Sequence, residues 1–187
     1  MSASALTTVR GVYAIQTLIF PEGSAFTVPS AANASVSSKP GAADTGWLNW
    51  GNIPWSYENT SKTEDYLAPQ PGAYVLTDKI VLSIGGKLTG KVQKNSAAVL
   101  GLSRAAIAAG AGVLPSTATT VYNPLSGSPV LKAWLHLQMY NVNNVLVDTL
   151  DLWCALMLSK QNFDDKVSEA DITADILYST LNVGTLA

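Results

Sequence analysis

The sequence predicts a mainly β, antiparallel domain, a sandwich or small closed barrel, with one flanking α-helix. Three observations carry that expectation. Leu131, Ala133, Leu135, Leu137 and Met139 alternate with Lys132, Trp134, His136, Gln138 and Tyr140, the period of two that places successive side chains on opposite faces of a strand. Residues 10–20 are rich in Val, Ile, Tyr and Phe, which suit a pleated, half-buried surface. Only one stretch, 95–109, reads as a helix. Asn95 or Ser96 can accept from its free first-turn amides, and Val99, Leu102 and Ala106 share one side.

The 187 residues suit a single domain, 1–187, with a substantial core. The chain is 48% hydrophobic and 13% charged, about half the usual charged fraction of roughly 25%. Few charges among many small residues point to a surface covered by copies of the same chain. The net charge of −2 excludes the basic face of a nucleic-acid reader. A single cysteine, Cys154, excludes an internal disulfide and a thiolate metal cage within one chain. The apolar run 12–20 is shorter than the roughly 20 residues of a membrane span, and Gln16 interrupts it, so a strand is expected there rather than a signal segment.

The remaining elements follow in order. Pro21-Glu22-Gly23 ends the first strand. Residues 24–45 are mostly Ala, Ser, Thr, Gly and Pro and read as a loop or an arm that orders against a neighbour. Residues 46–59 give one or two strands bent at Pro54. They hold Trp47, Trp50 and Trp55, three of the five tryptophans. Residues 60–73 are polar and contain Pro69 and Pro71-Gly72, so they read as a long connection or a hairpin tip. A strand with one mostly covered face is expected from Thr77, a break at Gly85-Gly86, then a second strand to Gln93.

A hairpin over 131–158 turns at Asn143-Asn144, since Asn tolerates positive φ. A two-residue loop there pairs Leu137 with Leu150, Leu135 with Leu152 and His136 with Asp151; a four-residue loop shifts the partners by two and keeps the same faces. One face is then core, from Ala133 to Met139 and Leu150 to Cys154. The other, with Trp134, His136, Gln138, Tyr140, Thr149, Asp151 and Trp153, is aromatic and polar, suited to a partner or a covering helix. In the last strand, 168–181, Ala170, Ile172, Ala174 and Ile176 face inward.

Signs of chemistry are sparse. His136 with Asp151 has the form of a base and its orienter, but a cross-strand polar pair is the preferred explanation, since no nucleophile elbow accompanies it and Cys154 points to the opposite face. One histidine cannot supply a metal cage. Gly85-Gly86 and Gly110-Ala111-Gly112 lack the Gly-Lys-Ser/Thr of a phosphate loop. The expectation is no enzyme, no metal and no cofactor. Trp47, Trp50 and Trp55 could form a sugar platform, though their parities differ. Core and subunit-interface use is the preferred reading for them and for Tyr66, Trp134, Tyr140 and Trp153.

The run Gly46-Trp47-Leu48-Asn49-Trp50-Gly51-Asn52-Ile53, then Trp55-Ser56-Tyr57-Glu58, a polar loop, Thr77-Asp78-Lys79-Ile80 opening a strand, and Asn95-Ser96-Ala97-Ala98-Val99-Leu100 opening a helix resembles the major tail tube proteins of tailed bacteriophages. The resemblance covers residues 46–102 in detail and 131–181 in outline. Asn49-Trp50 departs from it, where an aliphatic residue is more usual before the glycine. The resemblance implies a tail-tube-like β-sandwich with a side helix. Six copies close a ring, and rings stack into a hollow tube. DNA passes through its lumen without specific binding.

It further implies contacts with other tail proteins, no membrane, and a place in the virion after assembly in the host cytoplasm. Residues 60–73 become the inter-ring loop, and 1–9, 24–45 and 182–187 the arms. The lumen would be lined by Asp171 and Asp175, with Asp148 and Asp151 next. The alternatives are a carbohydrate-binding β-sandwich module, or another virion protein such as a capsid decoration protein or tail terminator.

Overall fold

The computed structural model describes residues 12–22, 34–41, 44, 46–92, 130–161 and 169–186. The helix expected over 95–109 and the arm at 1–9 lie outside them. Among the described residues the chain is all β, with ten strands and no helix.

Ala14–Pro21 (β1), Leu48–Asn52 (β2), Trp55–Asn59 (β3), Gly86–Val92 (β6), Val130–Tyr140 (β7), Leu146–Gln161 (β8), Ala170–Ile176 (β9) and Val183–Leu186 (β10) form one eight-stranded antiparallel sheet. Its order is β2-β1-β7-β8-β9-β6-β3, with β10 on β8. The first and last strands of that path, β2 and β3, follow each other in the chain across Ile53-Pro54. The sheet therefore has to curl until its ends meet. Trp55 Nε1 on β3 donates to Thr17 Oγ1 on β1 at 2.9 Å, and Ile53 N donates to the Ile15 carbonyl at 2.9 Å. This seam closes a barrel-like roll through side chains and a bend. Proline lacks an amide hydrogen, so Pro54 suits the bend better than a ladder.

One core fills the roll. Ile19 (β1), Trp50 (β2), Leu88 (β6), Leu135 (β7), Leu156 (β8) and Ile172 (β9) all contribute to it, each at most 4% exposed. Every strand on the path except β3 supplies a fully buried residue, and β3 adds Trp55. Gly90 is part of this fit. A Cβ there would lie 2.7 Å from Ile53 Cγ2 and 2.8 Å from Trp55 Cε3. Gly90→Ala is therefore expected to cost about 1–3 kcal/mol by overpacking the seam, read as a lowered urea midpoint. An unchanged midpoint would show that the seam yields freely.

Of the two registers expected, β7–β8 adopts that of the shorter loop: Leu137 with Leu150, Leu135 with Leu152, His136 with Asp151. The loop itself differs. Asn144 N bonds the Asn141 carbonyl at 3.0 Å, Asn141 N bonds the Val145 carbonyl at 3.0 Å, and Asn144 adopts φ 57°. This is a three-residue loop with a left-handed residue at its end. The shift it imposes is cancelled by a bulge that inserts Val147 between the Met139–Asp148 and Tyr140–Leu146 pairs. The face assignment holds, with Ala133, Leu135, Leu137 and Cys154 all in the core. In β9, Ala170, Ile172 and Ala174 face inward as expected.

Two expectations are corrected. Residues 60–73 are not a loop. Lys62–Gln70 (β4) and Ala73–Ser83 (β5) form a two-stranded ribbon turning at Pro71-Gly72. Proline fixes φ near −65°, and Gly72 has φ 85°, the pattern of a type II turn. The strand was hidden because β4 is almost wholly exposed, so no hydrophobic alternation marks it. The end of the chain, read as an arm from 182, places Val183–Leu186 against Asp148–Asp151 of β8. The long strand β8 extends past β9 and offers a free ladder there.

Candidate functional site

The outer face of β1, β7 and β8 carries the residues singled out as aromatic and polar. Three cross-strand rows run over it: Phe20–Trp134–Trp153, Leu18–His136–Asp151 and Gln16–Gln138–Thr149. The first row is not open to a partner. Trp134 is 0% and Trp153 3% exposed, in a cluster with Phe20 and Ala34, against which Trp47, Leu177 and Leu181 pack. Residues 34–41 cross this row as a strap. Trp134 Nε1 donates to the Ser35 and Ser38 carbonyls at 3.0 and 2.9 Å. Ser179 Oγ donates to the Val36 carbonyl at 2.7 Å. The chain thus covers its own tryptophans, and Trp134 and Trp153 are core rather than interface.

The second row is the one polar cluster of chemical interest among the described residues. Asp151 Oδ1 lies 2.6 Å from His136 Nδ1, and its Oδ2 accepts from Lys39 Nζ at 2.7 Å. Burial alone would push the Asp151 carboxyl up. The hydrogen bonds from His136 and Lys39, with their positive charge, outweigh that and hold it below the ordinary carboxylate range. A depressed value in the folded state gives stability that is complete above the ordinary carboxylate pKa. It is lost as pH falls through the folded one. Wild type should therefore lose stability from about pH 4 downward, and Asp151→Asn should flatten that slope. Parallel profiles in acid urea titrations would show that the clasp contributes nothing.

A cavity of about 440 Å³ opens beside this cluster. Its floor is the sheet: Gln16, Leu18, His136, Gln138 and Asp151. Its roof is the end of the strap and the residues after it: Lys39, Pro40, Gly41, Asp44 and Trp47. The roof is braced by Gly41 N donating to Asp44 Oδ2 at 2.8 Å and Trp47 Nε1 donating to the Gly41 carbonyl at 2.9 Å. Trp47 also meets Phe20 edge-on, with centroids 5.5 Å apart, and lies 5.8 Å from the His136 ring. Lys39 and Asp44 escaped the sequence reading, because nothing in the small-residue run 24–45 distinguishes them.

The other aromatic candidates scatter. Trp50 is 2% exposed inside the roll. Trp55 sits half-buried at the seam, and Tyr140 donates to Gln138 Oε1 at 3.1 Å. Only Tyr66, 61% exposed on β4, is open. A single platform of Trp47, Trp50 and Trp55 is not formed. Cys154 is fully buried, and burial, with the Asp175 charge second, pushes its thiol far up. It is no nucleophile.

The acidic candidates also separate. Asp171 and Asp175 lie on the outward parity of β9. Asp171 is aligned with Lys160 and Lys91, and Asp175 with Ala155 and Lys87. This face is charge-alternating rather than uniformly acidic. Asp148 has the opposite parity to Asp151, and Asp151 is engaged by His136 and Lys39.

The largest uncovered feature is the β4–β5 ribbon. It continues the β3–β6 ladder outward: Asn59 pairs with Gly86, Thr60 N bonds the Gly85 carbonyl at 3.0 Å, and Lys62 pairs with Ser83. Every residue of β5 is exposed. Tyr74 is 75%, Leu82 60%, Tyr66 61%, Val81 55%, Leu76 52% and Leu67 50% exposed. The expected covered face of this strand has no cover among the described residues. Two strands alone are marginal in water.

No group of described residues could hold a metal ion, and no helix among them is long and apolar enough to cross a membrane. No protein-family model and no curated protein matches the chain.

Proposed function

We propose that this protein is a self-assembling structural subunit of the tail tube kind, whose copies close into hexameric rings that stack into a tube conducting DNA. The observation that carries this reading is the β4–β5 ribbon. It is continuous with the sheet and exposes Tyr66, Leu67, Tyr74, Val75, Leu76, Ile80, Val81 and Leu82, so a second copy is the occupant that suits it. The low charged fraction supports a surface shared with other copies, and the resemblance of residues 46–102 supports the tail tube in particular. The virion location and the contacts with other tail proteins belong to the same proposal. Asp171 and Asp175 remain its candidates for the lumen, in a lining where lysines neighbour the acids. Such a lining holds DNA weakly because attraction and repulsion lie side by side.

The test is negative-stain electron microscopy of the purified full chain with sedimentation at high concentration. Rings and stacked tubes of uniform diameter are expected. A strictly monomeric protein would overturn self-assembly. Trimers or single rings that never stack would move the reading to a decoration or terminator protein.

A further inference from the structure

We infer that the cavity between the sheet and the roof formed by Lys39, Pro40, Gly41, Asp44 and Trp47 binds a neutral hexopyranose ring. The site shares no residue with the β4–β5 ribbon. Its volume, about 440 Å³, lies in the range of roughly 300–1,000 Å³ usual for small-molecule sites.

The lining selects the chemistry. Gln16 and Gln138 offer amides that can both donate and accept, and His136 offers an imidazole. Hydroxyl groups match such a wall, because each is at once a donor and an acceptor. Asp44 and Asp151 share the lining with Lys39 and His136, both of which are engaged by Asp151, so no spare cation is offered to a phosphate or carboxylate. Lys39 is already held by Asp151 at 2.7 Å and is not a spare anion receptor. Trp47, Leu18 and Pro40 add an apolar side. A pyranose has this same division, with hydroxyls at its rim and C–H groups on one face.

The cavity is also held in shape before any ligand arrives. Trp47 is fixed by the Gly41 carbonyl, Asp44 by the Gly41 amide, and His136 by Asp151. A ligand would not have to order these groups, which lowers the cost of binding. In place of a three-tryptophan platform, the cavity combines one indole with two glutamines on different elements.

The experiment is saturation-transfer-difference NMR of the folded full chain with glucose, galactose, mannose and N-acetylglucosamine. Transfer to the C–H protons of one ring face is expected for at least one sugar, with millimolar affinity. Trp47→Ala should weaken it by about tenfold, the loss of one good contact of about 1.4 kcal/mol. Since Trp47 also packs on Phe20, Gln16→Leu is the decisive variant: it keeps the strand and removes only the amide. A loss of severalfold is expected in a protein with an unchanged melting curve. Absence of saturable transfer from all four sugars overturns the inference, as does equal binding by wild type and Gln16→Leu. Binding of choline without any sugar would also overturn it, by showing a cation site instead.

Discussion

Replacing residues 61–84 with the dipeptide Asn-Gly is expected to leave the eight-stranded sheet folded and to abolish self-association. The replacement is geometrically natural. Thr60 and Gly85 already face each other across the ladder that continues Asn59–Gly86, and Asn-Gly is a preferred two-residue hairpin loop. No residue of β4 or β5 belongs to either hydrophobic cluster, so the core loses nothing. The ribbon makes its ladder only with itself. Its Lys79–Asp65 ion pair, at 3.3 Å with both groups about half exposed, is a surface pair worth about 0–1 kcal/mol. The urea midpoint should therefore barely move. Sedimentation should shift from assemblies to monomer. Assemblies of undiminished size in the shortened chain would show that copies meet elsewhere, and the ribbon would lose its assigned role.

Trp134→Ala is expected to cost about 3–5 kcal/mol, a large part of the roughly 5–15 kcal/mol that holds a domain folded. The ring is 0% exposed and lies 5.5 Å from the Trp153 ring, centroid to centroid. It is also the donor that fixes the strap. Without the indole, the Ser35 and Ser38 carbonyls keep their mutual backbone bonds, both long at 3.3 Å. Trp134→Phe separates the two roles. It retains most of the ring and removes the donor, so its cost should fall to about 1–3 kcal/mol. Hydrogen exchange should then show the Ser35 and Ser38 amides opening before those of the β7–β8 ladder. If the phenylalanine variant matched wild type in both respects, the strap would be held by the other contacts, chiefly Lys39–Asp151 and Ser179–Val36.

The strands that bury one face were legible because burial writes a period of two into the sequence. Leu131 to Met139 and Ala170 to Ile176 are the clearest cases. The pairing of His136 with Asp151 was also legible, although two local errors cancelled: a loop one residue longer and the bulge at Val147. The ribbon was half legible. Its tip shows in Pro71-Gly72, but Lys62-Thr63-Glu64-Asp65 gives no strand signal because neither face is buried among the described residues. The cavity was not legible. Its two sides come from segments about a hundred residues apart, and Lys39 lies in a stretch whose composition suits any loop.

The sequence by itself determined an antiparallel β protein with few charges, a hairpin of defined faces and no recognisable catalytic set. Those properties depend on neighbouring residues and on the alternation of one strand at a time. Only the tertiary structure decided that the tryptophans divide among core, seam and cavity wall. It alone showed that residues 34–41 cover the aromatic row, and that β4–β5 stands uncovered. These outcomes depend on which distant segments meet, a matter of how the sheet curls from β2 round to β3, and no local pattern encodes that.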